Sequence, residues 1–220
     1  MASFKTTLKK HYRLIILGIL FWIPVVIFMK LAGEILEKEP LPFDVPVMLA
    51  IHAHATEWWN DFFVAFTNLG GVEGVLAIGA MITVYLIVKK RYNDLFLLIG
   101  GVGGAAIANA VLKLLFHRDR PSLWPHLVHE TSFSFPSGHA MASASLATVI
   151  VLLFWQTRYR WWVVAAAGIY TIVIGFSRLY LGVHYPSDIL AGWSVSVVWV
   201  ILVALITSHL KYTPKPTGKS

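Results

Sequence analysis

The sequence predicts an all-α integral membrane protein, a bundle of six transmembrane helices with both termini in the cytoplasm. Three observations support this fold class. The 220 residues are 57% hydrophobic and only 13% charged, with a mean hydropathy of +0.70, whereas soluble domains average about 25% charged residues. Six stretches approach the roughly 20 apolar residues that a bilayer-spanning helix requires. Basic residues are concentrated in the loops of one face.

Each expected span is bounded by charged, aromatic or turn residues. The first follows a basic start. We expect it to be an uncleaved anchor rather than a signal peptide, because its apolar core is long and no small-residue cleavage pattern clearly follows. A single transmembrane domain is expected over 1–220. The predicted spans are residues 12–32, 63–88, 94–116, 137–155, 161–181 and 187–207.

A glycine run lies in the middle of the third span, at Gly100, Gly101, Gly103 and Gly104. A glycine-rich loop can cradle a phosphate, but no basic residue adjoins this run. Small residues in a membrane helix more often mark a face where two helices pack closely. We therefore predict a packing face here.

The distribution of basic residues predicts the orientation. Of the 18 lysines and arginines, 12 lie in the N-terminal segment, the tail, and the loops near 89–91 and 156–160. Basic loops tend to remain in the cytoplasm, so both termini are expected there. Segments 33–60, 117–136 and 178–186 then face outward. This bias explains the net charge of +7 without a nucleic-acid partner.

The segment 43–62 connects the first two spans and is too short in its apolar part to cross the membrane. Trp58 and Trp59 follow this apolar part. Tryptophan and a short amphipathic stretch favour the headgroup layer. We therefore expect a short interfacial helix between helices 1 and 2.

The stretch from Phe135 to His139 has the features of a helix start that can bind an anion. Ser137 is a typical N-cap residue, and Gly138 leaves space for a ligand. The first N–H groups of a helix lack internal partners and carry partial positive charge, which attracts phosphate. An ordinary capped helix with a chance histidine is the alternative for these five residues alone.

Three cations are expected near the same outer face as this helix start. Unpaired charges are costly in hydrocarbon, so the cations could extend to the interface or pair with nearby carboxylates. Such pairing accounts less well for three cations beside a helix N-terminus. A dianionic phosphate would satisfy them together. The cations are Lys113, Arg120 and Arg178, and the candidate carboxylates are Asp119, Glu130 and Asp188.

His184 and Asp188 supply a possible nucleophile. A carboxylate bonded to one ring nitrogen fixes the tautomer and leaves the other nitrogen free to attack. Pro186 is expected in the first turn of the sixth helix, so the pair spans a turn and a helix start. His139 could then serve as the acid for the leaving oxygen.

Three spaced motifs resemble the signatures of the type-2 phosphatidic acid phosphatase superfamily. They are Lys-x6-Arg-Pro at 113–121, Pro-Ser-Gly-His at 136–139 and Ser-Arg-x5-His-x3-Asp at 177–188. All three match in order, over about a third of the chain, and the six-span layout extends the resemblance. The short chain resembles the bacterial membrane members, particularly the phosphatidylglycerophosphatase B type that also acts on undecaprenyl pyrophosphate.

The resemblance implies a role for each motif residue. His184 would form a phosphohistidine intermediate, and Asp188 would orient it. His139 would protonate the departing lipid oxygen and then activate water. No metal and no cofactor are implied, because cations of the chain neutralise the phosphate. The implied phosphate-binding residues are Lys113, Arg120, Ser137, Gly138 and Arg178.

The expected activity is hydrolysis of a lipid phosphate, drawn from the bilayer, at the extracytoplasmic face of the cell membrane. Phosphatidylglycerol phosphate, undecaprenyl pyrophosphate or both could be the substrate, and the oligomeric state stays open. A lipid phosphotransferase would share the same site. Vanadium haloperoxidases share the constellation but are soluble. A non-hydrolytic lipid transporter would favour internal repeats and charges in mid-membrane, and we find neither pattern in the sequence.

The remaining polar residues have weaker signals. His52, His54 and Glu57 could bind a metal, but histidines two apart on a helix point to different faces. The chain has no cysteine, which excludes disulfides and thiolate metal sites. Asp119 is expected to pair with a neighbouring arginine. No chemistry is assigned to His117, His126 and His129.

Overall fold

The regular structure of the chain is helical. The computed structural model describes residues 2–38 and 41–212, and the side chains of 18–38 and 41–208. No strand occurs among the described residues, which agrees with the predicted all-α class. The helices are α1 (Ala2–Leu36), α2 (Asp44–His52), α3 (Glu57–Thr67), α4 (Val72–Val88), α5 (Tyr92–Leu98), α6 (Gly104–Phe116), α7 (Gly138–Phe154), α8 (Arg160–Tyr180) and α9 (Pro186–Tyr212).

Four helical stretches of the described residues are long and apolar enough to cross a membrane. The pair α3–α4 adds a fifth if it is one bent span, and α7, with 17 residues, is shorter than the others. The chain is therefore a multi-pass membrane protein with four or five candidate spans. The four stretches are Gly18–Leu36, Tyr92–Phe116, Arg160–Tyr180 and Pro186–Ser208.

The predicted second span, 63–88, is not one continuous helix. The chain turns between α3 and α4 through a 3₁₀ turn, Asn68–Gly70, and the two helices are bent by 48°. Gly70 at the bend packs closely against α8, since a Cβ on Gly70 would lie 2.3 Å from Cγ2 of Ile174. Gly71 then begins α4 in an extended conformation.

The predicted interfacial helix, 43–62, is also shorter than expected. Only α2, Asp44–His52, is a separate short helix. Thr56 starts α3 because its Oγ1 accepts a hydrogen bond from the backbone N–H of Trp59 at 3.4 Å, as an N-cap residue does. The two tryptophans therefore belong to α3 and not to the short helix.

The glycine run packs against α7 and α9. A π-helical turn, Ile99–Gly103, joins α5 to α6. Nε1 of Trp199 on α9 donates to the carbonyl oxygen of Gly100 at 2.9 Å. A Cβ on Gly101 would lie 2.9 Å from Val149 on α7, and one on Gly104 would lie 2.4 Å from the Trp199 ring. The predicted packing face is therefore confirmed.

Helix α7 lies at the centre of the bundle, in contact with α8 and α9. Small side chains make up most of its buried face and allow neighbouring helices to approach closely. Its first residues meet the start of α9, where the N–H of Ser137 donates to the carbonyl oxygen of Asp188 at 3.1 Å. The buried residues of α7 are Ala140, Met141, Ser143, Ala144, Ser145, Leu146, Ala147 and Val149.

Candidate functional site

The residues of the three motifs lie together at one end of the bundle. Helices α6 and α8 end there, α7 and α9 begin there, and the loop between α6 and α7 covers the space between them. Contacts from this loop to the turn before α9 join motifs more than 60 residues apart, such as Arg120 with His184. The site therefore forms where helix ends that are distant in the sequence come together in space.

His184 and Asp188 form a buried pair at the start of α9. His184 lies in the turn before this helix with 1% of its surface exposed, and Asp188 lies in the first turn, fully buried. Nδ1 of His184 is 3.3 Å from Oδ2 of Asp188. When Nδ1 carries the proton and donates to Asp188, the lone pair of Nε2 is free.

Burial keeps His184 neutral. Burial lowers the pKa of His184 to about 3, and this effect outweighs the hydrogen bond to Asp188 and the charge of Asp188, which raise it. At neutral pH the imidazole is therefore uncharged. An uncharged imidazole with a free Nε2 is the form that can attack an electrophilic phosphorus.

Arg120 faces the free nitrogen of this histidine. Its Nη1 lies 3.1 Å from Nε2 of His184 and donates to the carbonyl oxygen of Val183 at 2.9 Å. Its Nη2 is paired with Oε2 of Glu130 at 3.2 Å. The guanidinium therefore connects the nucleophile candidate to Glu130.

Glu130 bridges two arginines. It pairs with Arg120 through one oxygen and with Arg178 through the other. Burial would raise the pKa of Glu130, but the charges of Arg178 and Arg120 outweigh burial and hold it below its usual value. The carboxylate is therefore ionised and marks the point where these guanidinium groups can hold an anion.

Arg178 is the most deeply buried cation of the site, with 1% of its surface exposed. Its Nη1 donates to Oγ1 of Thr67 at 3.2 Å. Its Nε is buried and has no hydrogen-bond partner in the described part of the chain. An orphan donor of this kind is costly, and an oxygen of a bound anion would satisfy it.

Lys113 joins the same cluster through Ser132. Its Nζ donates to Oγ of Ser132 at 2.7 Å, and Nη2 of Arg120 lies 3.2 Å from the same oxygen. Nε of Arg120 also donates to the carbonyl oxygen of Ser132 at 2.8 Å. The two cations of the first motif therefore converge on one hydroxyl group.

The start of α7 completes the cluster. Ser137 is the N-cap residue, and its Oγ accepts from the N–H of Ala140 at 3.4 Å. His139 follows directly after Gly138, and the charges of Arg178 and Glu130 act on it. Nε2 of His139 lies 3.3 Å from the position that a Cβ on Gly71 would take.

Three further residues of the site were not predicted from the sequence. Ser134 donates to Oδ2 of Asp188 at 2.5 Å and lies 3.3 Å from Nδ1 of His184. Arg118 and Asp44 form ion pairs in the same network. Proximity to the second motif could have indicated Ser134, but no spacing rule relates Asp44 to His184 and Asp188, which lie more than 100 residues later in the chain.

The expected pairing of Asp119 with a neighbouring arginine is absent from the ion pairs of the described side chains. Arg118 pairs instead with Asp44 and Asp188, and Arg120 pairs with Glu130. Asp119 is exposed. The physical reason is burial: the arginines turn toward carboxylates that have lost water and gain most from a charged partner.

Four histidines of the described side chains make their contacts outside this cluster. His52 stacks on Trp124 with ring centroids 4.0 Å apart, and Nδ1 of His54 lies 3.0 Å from the carbonyl oxygen of Ala50. Nε2 of His126 lies 2.7 Å from the carbonyl oxygen of Pro121. His117 ends α6 in a left-handed conformation. These contacts belong to the structure of the loops and helix ends.

An apolar groove of about 520 Å³ lies between α1, α6 and α9. Its lining is almost wholly hydrocarbon, with Ser194 as the one hydroxyl-bearing residue. Lys113 of the site follows the groove residue Leu112 directly in α6. Other lining residues are Val25, Phe28, Met29, Ile107, Val111, Val195, Val198, Trp199 and Leu202.

Comparison with known proteins gives consistent matches. A model of the PAP2 superfamily matches residues 94–212. Phosphatidylglycerophosphatase B of Bacillus subtilis (strain 168) is 33% identical over 159 residues, which cover 70% of this chain and 78% of the relative. Undecaprenyl-diphosphatase of Sulfolobus acidocaldarius is 26% identical over 192 residues, which cover 84% and 86% of the two chains.

A solved structure has the same fold. It is the crystal structure of a transmembrane PAP2 type phosphatidylglycerolphosphate phosphatase from Bacillus subtilis, with a TM-score of 0.75 and 29% identity. The match covers 87% of this chain and 98% of that chain. The family match spans all three motifs and the fold agrees, so the resemblance carried by the motifs is confirmed: this chain belongs to the PAP2 superfamily.

Proposed function

We propose that this membrane lipid-phosphate phosphatase hydrolyses phosphatidylglycerol phosphate, undecaprenyl pyrophosphate or both, through a phosphohistidine at His184. One observation carries the proposal. A buried, neutral His184 has Asp188 on one ring nitrogen and Arg120 on the other, beside a carboxylate bridged by two arginines. A nucleophile and an anion-binding cluster thus adjoin each other. The substrates are those named for the two relatives above.

The first chemical step would transfer the terminal phosphoryl group to the enzyme. Nε2 of His184 forms a bond to phosphorus while the bond from phosphorus to the bridging oxygen breaks. His139 gives a proton to that oxygen, so the lipid alcohol or lipid monophosphate leaves neutralised by one proton. Asp188 stabilises the positive charge that develops on the imidazole.

The second step would release inorganic phosphate. His139, now without its proton, takes a proton from water as the water oxygen bonds to phosphorus and the bond to Nε2 breaks. The cationic cluster stabilises charge on the equatorial oxygens in both steps. We propose no metal and no cofactor for either step. The phosphate-binding groups are Lys113, Arg120, Ser137, Gly138 and Arg178.

Substrate binding would also free the nucleophile. In the structure an N–H of Arg120 faces the same Nε2 that must attack. A phosphate with two negative charges attracts this guanidinium more strongly than a neutral imidazole does. Binding would therefore redirect Arg120 to the substrate and expose the lone pair of His184 at the moment it is needed.

The apolar groove between α1, α6 and α9 suits the hydrocarbon tail of such a substrate. The tail would remain among the apolar side chains of the groove, while the phosphate would bind in the cationic cluster that begins at Lys113. We further propose six membrane crossings, with α7 and the bent α3–α4 pair each counted as one. Both termini would lie in the cytoplasm and the site at the outer face, as the distribution of basic residues predicts.

The experiment is phosphate release from a panel of lipids by the purified protein in detergent. We expect hydrolysis of phosphatidylglycerol phosphate or undecaprenyl pyrophosphate, with phosphatidic acid as a comparison. His184→Ala should lower the rate by roughly a thousandfold or more, as removal of a nucleophile does. His129→Ala, in the exposed loop, is the matched control and should retain activity.

Two results would contradict the proposal. Full activity of His184→Ala would exclude the phosphohistidine route, and no phosphate release from any lipid by the wild-type protein would exclude the activity. Recovery of the phosphoryl group on an added alcohol, with little inorganic phosphate, would instead identify a lipid phosphotransferase with the same site.

A further inference from the structure

We infer that Arg118 is a positioning residue for His184, and that Asp44 on α2 holds Arg118 in place. This inference rests on the proposed function, because it concerns the orientation of the proposed nucleophile. Neither is a specified residue of the three motifs: Arg118 occupies an unspecified position of the first, and Asp44 lies outside all three. Four contacts that link α2, the loop after α6 and the start of α9 carry the argument.

Asp188 requires a cationic partner. It is fully buried, and an isolated carboxylate in such a place costs several kcal/mol. Nη1 of Arg118 lies 2.5 Å from Oδ1 of Asp188 and forms the shortest ion pair to it in the described part of the chain. The backbone N–H of Tyr185 donates to Oδ2 at 2.8 Å.

The ion pair also fixes which oxygen faces the imidazole. With Oδ1 bound to Arg118, Oδ2 faces Nδ1 of His184 at 3.3 Å. A carboxylate held at both oxygens cannot rotate without breaking a charged hydrogen bond, which is stronger than a neutral one. Arg118 therefore helps to hold the proton on Nδ1 and the lone pair on Nε2.

Arg118 is itself held on three sides. Nη2 pairs with Oδ2 of Asp44 at 2.7 Å, and Nη1 donates to Oγ of Ser187 at 2.7 Å. The guanidinium carbon lies 4.1 Å from the ring centroid of Tyr185. A planar fork can bridge two carboxylates and stack on a ring, whereas the point charge of a lysine cannot do both.

Asp44 connects α2 to the helix that carries Asp188. With 2% of its surface exposed, it accepts from the backbone N–H of Ser187 at 2.9 Å and from Oγ of Ser187 at 2.6 Å. It thus satisfies one of the unpaired N–H groups at the start of α9. These hydrogen bonds attach the short helix α2 to the start of α9, next to the proposed nucleophile.

The test compares Arg118→Gln and Arg118→Lys with Arg158→Gln, an exposed arginine of the opposite loop. We expect Arg118→Gln to lower kcat by about 10- to 100-fold, the range for losing an outer partner that orients an active-site ligand. KM and the inhibition constant of inorganic phosphate should change by less than about threefold, because the phosphate-binding groups are untouched. Arg118→Lys should recover part of kcat.

A second measurement does not depend on catalysis. The ring ¹⁵N shifts of His184 report which nitrogen carries the proton. We expect the Nδ1–H form in the wild-type protein and a shift toward a mixture of forms in Arg118→Gln. Asp44→Asn should lower kcat and change the ¹⁵N shifts in the same direction as Arg118→Gln does. The changes should be smaller, since Asp188 retains its arginine.

The outcomes separate this inference from the proposed function. A kcat of Arg118→Gln within threefold of wild type, or unchanged ¹⁵N shifts, would overturn the positioning role. A loss confined to KM would also overturn it. If Arg118→Gln does not fold, the ¹⁵N measurement on Asp44→Asn decides, and unchanged His184 shifts in that variant would overturn the positioning role. An inactive wild-type protein whose His184 shifts still respond to Arg118→Gln would leave the positioning role standing and reject the phosphatase activity.

Discussion

At the scale of single residues, Glu130 is where the structure adds most to what the sequence predicts. The sequence offers it as a possible partner for cations, among other carboxylates. The structure pairs it with Arg120 and Arg178 at once. Because both arginines are also candidates for holding phosphate, the carboxylate and the substrate would compete for the same donors.

This competition gives a prediction for Glu130→Gln. The change removes the negative charge but keeps the shape of the side chain, so an incoming anion no longer displaces an ion pair. We expect tighter binding of inorganic phosphate, by roughly three- to tenfold, which corresponds to about 0.7–1.4 kcal/mol for a partly buried pair. The measurement is the inhibition constant of phosphate in the hydrolysis assay.

Glu34→Gln, in α1, provides the control for Glu130→Gln. This side chain forms no ion pair in the described structure, and its substitution should leave phosphate inhibition unchanged. Weaker phosphate inhibition in Glu130→Gln would show that the carboxylate supports anion binding rather than competing with it.

The clustering of the motif residues could be predicted from the sequence, because the three spaced motifs resemble those of one family whose residues form a single site. The residues around them could not be predicted. Arg118 lies inside the first motif at a position whose spacing carries no signal, and Asp44 begins a short apolar helix. Their roles depend on which buried carboxylates meet in three dimensions, which the order of residues does not specify.

At the scale of helices, the length of the apolar stretches predicted where most helices lie. It did not predict where a helix is interrupted. The third, fifth and sixth predicted spans correspond to Tyr92–Phe116, Arg160–Tyr180 and Pro186–Tyr212 within a few residues. The second does not: the chain bends between α3 and α4 beside Gly70, which packs against Ile174 on α8. A contact between distant helices leaves no periodic signal in the sequence.

The packing of the glycine run gives a prediction at this scale. Gly104→Ala places a Cβ 2.4 Å from the Trp199 ring, and overpacking of a close interface typically costs about 1–3 kcal/mol. We expect a lower melting temperature in detergent. The adjacent Gly103→Ala meets no atom within 4 Å and should melt at or above the wild-type temperature. Equal melting temperatures for the two variants would contradict a packing role for Gly104.

At the scale of the whole molecule, the orientation of the site can be tested cleanly because the chain has no cysteine. Ser122→Cys lies in the loop between α6 and α7, and Gln156→Cys lies in the loop between α7 and α8. In intact cells we expect a membrane-impermeant maleimide to label the first variant and to label the second only after permeabilisation. The reverse pattern would place the site on the cytoplasmic face.

The organisation of the molecule explains how a small apolar chain can position so many charges. The charged side chains lie where four helices begin or end. There they are surrounded by the polar groups of helix ends and loops rather than by hydrocarbon. Six of the ionisable groups are joined in two networks, one through Glu130 and one through Arg118. Both networks adjoin His184, through Arg120 in one and Asp188 in the other, so the proposed orientation of the nucleophile and the proposed binding of the anion depend on neighbouring groups.

The central claim is that the phosphoryl group passes through His184. It is tested most directly by mixing the protein with ³²P-labelled lipid phosphate, quenching within milliseconds in alkali, and mapping the label by mass spectrometry. The account predicts an alkali-stable, acid-labile phosphohistidine at His184 in the wild-type protein and none in His184→Ala. A label on another residue, or phosphate release with no labelled enzyme at any time point, would contradict it.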